Sequence, residues 1–332
     1  MKKYLEIDEK FHMPTYKRFP ILVTRGRGMF LWDENGNKYL DFIAGLGVCN
    51  IGHCHPKLVK AVKKQLEKII HTTNLFFTQP QIELIEKLSK ISIKGKCFIA
   101  NSGAEANEGA VKLTRKYFKY IRKEEEKFEI ITANRSFHGR TLKMLAATGQ
   151  PDKKEPFEPL PPGFRHVNLN DMDEMNKSIS NKTCAIMLEP VQGEGGVYPC
   201  EKSYLKAIRK LCDEKGLLLI FDEVQTGFGR TGKMFAYENY EVEPDIITLA
   251  KGLGGGLPIG AFVAKNEIAD AFEPGDHGST FGGNPLVCSA ANAAIDIIQE
   301  EDLLKNSAEM GSYFEKLLFE LSGDIELIKE VR

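Results

Sequence analysis

Five short, continuous apolar runs constrain this chain more than any other feature. KCFIA begins at Lys96, FEIITA at Phe128, TCAIMLE at Thr183, LLLIFDE at Leu217 and DIITLA at Asp245. Each is too short for a buried helix and lacks the polar alternation of a half-exposed strand, so each reads as a strand covered on both faces. They alternate with stretches read as helical: NSGAEANEGAVKLTRKYF, NRSFHGRT, PVQGEGG, VQTGFGRTG and KGLGGG. The pattern predicts an α/β fold with a mostly parallel central sheet and helices on both faces.

The residues just after each strand matter for function, because ligands of such sheets bind outside the carboxyl ends of the strands. Those ends carry Ser102, Gly103, Phe137, Arg140, Glu189, Asp222 and Lys251. Elsewhere, MFLWDENGNKYLDFI reads as two strands joined at Asn35-Gly36, a hairpin signal. Apolar residues three and four apart predict helices in PKLVKAVKKQLEKII and QPQIELIEKLSKI. KYFKYIRKEEEKFE reads as a helix end running into a solvated charge block. QPDKKEPFEPLPPGF holds five of the 15 prolines and reads as a surface loop without helix or strand. The expected division is an amino-terminal segment (residues 1–50) belonging to a smaller domain, a large α/β domain (51–285), and the start of a carboxy-terminal small α/β domain (286–332).

Composition excludes some partners. Lys+Arg total 45 against Asp+Glu 46, a net charge of -1, so neither nucleic acid nor an anionic membrane surface is favoured. No apolar run reaches the length of a membrane span, and MKKYLEIDEKFHMP has no apolar core of a signal peptide. With seven cysteines in no disulfide framework, the expectation is a cytoplasmic protein. Cys49, His53, Cys54 and His55 offer metal-ligand chemistry at close spacing, but no second cluster is found downstream. A turn before the helix that Pro56 opens is the preferred reading, and no metal is expected.

Two chemistries compete at the strand ends. GFGRTGK, residues 227–233, satisfies the glycine-lysine pattern of a phosphate loop, but Met234 stands where a Ser or Thr must reach Mg²⁺. The adjoining MFAYENYEVEP is also too short and turn-rich for the helix such a loop needs. The second reading takes the ends together. NSGAEANEG places small residues at a helix start suited to a phosphate, and Asp222 ends a buried strand where a carboxylate needs a cationic partner. Lys251 stands at another strand mouth, where partial desolvation lowers an amine's pKa. A reactive lysine, a carboxylate for a ring nitrogen and a helix end for a phosphate are the parts of a pyridoxal-phosphate site.

SGAEANE, FHGRT, EPVQGEGG, FDEVQTGFGRTG, AKGLGGGLPIGA and HGSTFGGNPL occur in order and resemble the successive motifs of the class III (subgroup II) pyridoxal-phosphate aminotransferases. HTTNLFFTQPQIELIEKL and SFHGRTLKMLAATGQ are most similar to the acetylornithine branch of that family. The ornithine, succinylornithine and 4-aminobutyrate branches are neighbours. The resemblance implies a fold-type I enzyme using pyridoxal 5'-phosphate, with an amino donor and 2-oxoglutarate as substrates and a homodimer with shared sites. For the acetylornithine branch it implies ping-pong transfer from N-acetylornithine to 2-oxoglutarate, a step of arginine biosynthesis.

The resemblance also implies roles. Lys251 would bond the cofactor and carry the substrate proton, and Asp222 would face the pyridine nitrogen. Gln225 would meet the ring hydroxyl, Val224 and Phe137 the ring faces, and Gly103 and Ala104 the phosphate. Thr280 would reach the phosphate in the neighbouring subunit. Arg140 would bind a substrate carboxylate, with Ser279 adding a hydrogen bond, and Glu194 would mask a second, carboxylate-binding arginine. Each residue has a structural alternative: a surface lysine, an Asp222 that caps a turn, an Arg140 paired with Glu189, a Phe137 in the core, a Glu194 that is only a loop charge. Together and in order, the functional reading outweighs them. In the family the second arginine lies beyond GDIELIKEVR, where this chain stops. The expectation for the chain as it stands is therefore cofactor binding with impaired turnover of 2-oxoglutarate, or, as the alternative, an inactive cofactor-binding dimer partner.

Overall fold

A computed structural model describes residues 1–332. Near the amino terminus, β1 (Val23–Arg27), β2 (Phe30–Asp33) and β3 (Lys38–Leu40) form an antiparallel sheet in that order. The β2–β3 hairpin turns at Asn35-Gly36 as expected. Asp33 Oδ1 accepts from the N–H groups of Asn35 (2.9 Å) and Asn37 (2.8 Å), and Gly36 takes the left-handed conformation at φ 83°.

The central sheet has seven strands. β4 (Lys96–Ala100), β5 (Glu129–Ala133), β7 (Thr183–Leu188), β10 (Leu218–Asp222) and β11 (Ile246–Leu249) are the five runs seen in the sequence, joined by β6 (Phe164–Val167) and β12 (Gly260–Ala264). The order is β4-β12-β11-β10-β7-β5-β6, with β12 alone running against the others. β8 (Val191–Gln192) and β9 (Tyr198–Pro199) make a small separate hairpin.

Successive residues of each strand enter different cores, as a sheet with two covered faces requires. Ile130, Met187, Ile220 and Phe262 pack with Ala110, Val111 and Leu113 of the helix Gly103–Lys116. Ile131, Ile186, Leu219 and Phe221 pack with Leu205, Ile208 and Leu211 of the helix Lys202–Lys215. Ile247, Leu249, Ala261 and Val263 complete that second face under Pro56–Leu66, Gln79–Ile91 and Pro285–Glu300. No helix is long and apolar enough to cross a membrane.

The structure corrects several expectations. Of the five stretches after the strands, only Gly103–Lys116 is a long helix. Residues 134–141 are a loop leading to the short helix Leu142–Ala147, and 190–199 hold the β8–β9 hairpin. Residues 223–236 are turns, and Lys251–Gly254 is a single tight turn of helix. The proline-rich stretch is not devoid of helix, because Pro151 opens a short helix at Pro151–Lys154, the one helical position where its missing N–H costs nothing. GFGRTGK is part of the 223–236 turns and leads only to the four-residue helix Tyr237–Tyr240. Its Gly232 lies where a Cβ would stand 2.9 Å from Ala308 Cβ, so the turn is a packing surface. In the Cys49–His55 cluster, His53 and His55 turn to Asp41 (2.6 Å) and Glu301 (3.3 Å), and Pro56 opens its helix as expected.

Helix Gly103–Lys116 lies unusually close to the sheet. A Cβ on Gly109 would stand 2.3 Å from Phe262 Cε1. Gly109→Ala is therefore expected to destabilise the fold by about 1–3 kcal/mol through overpacking, seen as a lower urea midpoint with an unchanged slope.

Candidate active site

The carboxyl ends of β4, β5, β7, β10 and β11 converge on one cavity of about 470 Å³. Lys251 lines it, just beyond the end of β11, with its backbone in the left-handed region at φ 33°. That is a strained setting for a residue with a side chain, held where neighbouring structure fixes it. Gly255 and Gly256, at φ 57° and 119°, let the chain double back into antiparallel β12 and so keep Lys251 at the mouth. Burial lowers the Lys251 pKa, opposed by the charges of Glu194, Asp222 and Glu189. The net downward shift raises the share of neutral, nucleophilic amine.

Asp222 ends β10 with 3% of its surface exposed. Its Oδ2 accepts from Asn107 Nδ2 and His138 Nδ1, both at 2.8 Å, and its Oδ1 accepts from the Val224 N–H at 3.1 Å. Burial works against a charged His138, but the hydrogen bond and charge of Asp222 outweigh it and raise the imidazole pKa. The carboxylate thus has partners on a helix, a loop and its own turn. It is more than the turn cap that a single partner would make it.

At the start of the helix Gly103–Lys116, the Ser102 hydroxyl accepts from the Glu105 N–H at 3.2 Å, and Glu105 Oε2 accepts from Asn101. This is a capped start of the kind the Ser-x-x-Glu spacing favours. The N–H groups of Gly103 and Ala104 find no acceptor in the chain and lie at the cavity wall. Val224 packs so tightly on Gly103 that a Cβ there would be 2.8 Å from Val224 Cγ1.

Phe137, Arg140, Glu194, Val224 and Gln225 also line the cavity. Arg140 is exposed and pairs with no carboxylate of the chain, Glu189 included; its guanidinium stands 5.5 Å from the Phe137 ring. Ser279 and Thr280 do not line this cavity. They face a separate groove with Phe76, Phe77 and His277, where Thr280 is exposed and the Ser279 hydroxyl accepts from Asn101 Nδ2 at 3.0 Å.

Three residues at or beside the site have roles that the sequence does not announce: Asn107, His138 and Glu223. Asn107 and His138 meet Asp222 from 115 and 84 residues away, while Glu223 is held within the turns that follow it, and the only signal is a polar residue beside a motif. Glu223 is fully buried and accepts from Thr226, from the Ala236 N–H (3.0 Å) and from the Tyr237 N–H (2.9 Å), which shapes the turns after β10. Burial lifts its pKa to about 7 despite those donors. A carboxyl whose pKa is higher folded than unfolded gives stability that is complete below the usual carboxylate range and is lost as pH rises through about 7. Glu223→Gln, which does not titrate, is expected to flatten the fall in melting temperature between about pH 5 and pH 7.5. Parallel wild-type and variant melts check this.

A half-buried lysine with a lowered pKa, a buried carboxylate and a free helix start, set together at the ends of a mostly parallel sheet, define a site for a phosphorylated cofactor that reacts with amines. The chain matches the profile "Aminotransferase class-III" over residues 12–332. It is 54% identical over 333 residues to the acetylornithine aminotransferase of Methanocaldococcus jannaschii, covering 100% of this chain and 83% of the relative. It is 52% identical over 327 residues to that of Caldanaerobacter subterraneus, covering 98% and 82%. Among solved structures, an ornithine aminotransferase from Toxoplasma gondii with partial occupancy of PLP at its active site superposes with a TM-score of 0.96 at 34% identity, covering 100% of this chain and 79% of that one. The chain belongs to the class-III aminotransferases and is a pyridoxal-phosphate-dependent transferase.

The residues present fit that cofactor. Besides the unpaired N–H groups of Gly103 and Ala104, His138 Nε2 and Asn107 Oδ1 are buried without a partner beside Asp222, so the polar capacity of this wall exceeds what the chain itself uses. No group of three or more His, Cys, Asp or Glu side chains is placed to hold a metal ion.

Proposed function

We propose that this enzyme moves the amino group of N-acetylornithine to 2-oxoglutarate, giving N-acetylglutamate 5-semialdehyde and glutamate in ping-pong turnover, a step of arginine biosynthesis. The observation that carries the reading is the convergence of Lys251, Asp222 and unpaired Arg140 on one cavity. The names of the relatives at 54% and 52% identity support the choice of donor.

In this reading the N–H groups of Gly103 and Ala104 hold the cofactor phosphate, Phe137 and Val224 its ring, Gln225 its ring hydroxyl and Asp222 its ring nitrogen. When bound, pyridoxal phosphate supplies a carbonyl carbon that reacts with amines and a ring that takes up the electrons left when a neighbouring C–H loses its proton. Lys251 Nζ, neutral more often than an exposed lysine, would take that proton from the carbon bearing the amine and pass it to the cofactor carbon that keeps the nitrogen, and would carry a proton the opposite way for the keto acid. Asp222, itself held by Asn107 and His138, keeps a negative charge where a protonated ring nitrogen needs one. Arg140 offers its planar fork to the substrate carboxylate, and no acid of the chain competes for it. Glu194, exposed at the cavity edge, adds a negative charge beside the same pocket.

We further propose a cytoplasmic homodimer. Leu75 and Phe77, 87% and 92% exposed, lie with Phe281 near Thr280, an apolar surface that a second copy would cover while bringing Thr280 to its neighbour's phosphate. Ser279, hydrogen-bonded to cavity residue Asn101, would act at the same boundary.

The test is substrate kinetics on the cofactor-loaded protein. kcat/KM is expected to be highest for N-acetylornithine among it, ornithine, succinylornithine and 4-aminobutyrate; a higher value for another donor rejects the assignment. Lys251→Ala is expected to lose on the order of 100- to 10,000-fold in kcat. Arg140→Lys should act mainly by raising KM, since a lysine cannot bind a carboxylate in two places at once.

A further inference from the structure

Glu189 stands next after the last residue of β7, is 4% exposed and lines the cavity, yet neither the proton transfer nor substrate binding uses it. Its two oxygens serve different loops. Oε1 accepts from the Phe137 N–H at 2.8 Å, in the loop after β5 that also presents His138 and Arg140. Oε2 accepts from the Gly193 N–H at 3.4 Å, in the β8–β9 hairpin that presents Glu194. Gly193 is itself wedged against the cofactor wall, since a Cβ there would stand 2.7 Å from Gln225 Cγ and Nε2. The two loops also touch directly: Gln192 Nε2 donates to Asn134 O at 2.9 Å.

From this geometry we infer that Glu189 is a positioning residue, whose single carboxylate fixes Phe137 and the Glu194-bearing hairpin relative to each other. The inference rests on the aminotransferase reading of the cavity. Both donors are backbone N–H groups, so the site requires an acceptor at each oxygen, which a carboxylate provides. A glutamine provides one acceptor and turns an NH₂ toward the other N–H, so the isosteric variant breaks one of the two links. Burial, with the charge of Asp222, raises the Glu189 pKa, while the charge of His138 and both N–H donations favour the ionised carboxylate.

The experiment compares wild type with Glu189→Gln, both loaded with pyridoxal phosphate. Visible circular dichroism of the bound cofactor, kcat and KM for each substrate, and the melting temperature are recorded. A double-mutant cycle with Phe137→Ala is included. The expected result is a changed cofactor dichroism, a loss in kcat of about 10- to 100-fold from misplacement of groups at the reacting centre, and a Phe137→Ala effect that shrinks in the Glu189→Gln background. A melting temperature lowered with dichroism, kcat and KM unchanged, or strictly additive effects in the cycle, would overturn the inference. If Glu189→Gln gives no folded protein, Glu189→Asp keeps the charge but shortens the reach, and the same outcomes apply. A wild type that takes up no pyridoxal phosphate would sink the cofactor reading and this inference with it, whereas a loaded wild type matched by its variant would sink the inference alone.

Discussion

The carboxylate of Asp222, at the end of a fully buried strand, is the constraint on which the rest of the site depends. A carboxylate in such a place must find hydrogen-bond donors, and leaving one unpartnered costs about 3–5 kcal/mol. Here the donors come from Asn107 on the helix after β4, His138 on the loop after β5 and the N–H of Val224. Meeting that need fixes where the helix start with Gly103 and Ala104 lies relative to Phe137 and Val224. An apolar residue at position 222 would leave the buried donors of Asn107 and His138 without this acceptor, so the carboxylate ties the fold together at the wall of the cavity.

The sheet does the rest of the positioning. Parallel strands place their carboxyl ends on one edge, which is why residues as distant as Ser102 and Lys251 share a wall. The reversal at β12 puts Lys251 at the head of a short return, and a Cβ on Gly260 would stand 2.2 Å from Ser102 O, so the return passes directly beneath the helix start. Lys251 and Asp222 therefore stand at the adjacent ends of β11 and β10, with the helix start at Gly103 and Ala104 across β12. Arg140 and Glu194, the groups proposed to face the substrate, are exposed and stand further out on the loops after β5 and β7.

Much of this is legible from sequence because buried parallel strands leave a strong one-dimensional trace. All five apolar runs are strands, and Gly103, Ala104, Phe137, Arg140, Glu194, Asp222, Val224, Gln225 and Lys251 all reach one cavity. FRHV and GAFVA do not stand out as strands: the first is four residues long behind a proline-rich stretch, and the second opens in glycine beside GLGGGLPIG. Glycines that serve close approach, as Gly193 does against Gln225, look the same in sequence as those that open a helix, so the turns after four strands read as helices. His138 and Asn107 stay hidden for a different reason. A buried polar residue is explained by its partners, and theirs are brought near only by the fold.

The most direct test of the central claim is where the cofactor attaches. The protein loaded with pyridoxal phosphate would be treated with borohydride, which makes the lysine–cofactor bond permanent, then digested and mapped by mass spectrometry. One equivalent of label on the peptide containing Lys251 is the expected result, and its loss in Asp222→Ala would tie the attachment to the buried carboxylate. Label on another lysine, with Lys251 unmodified, would contradict the assembly of the site at the ends of these strands.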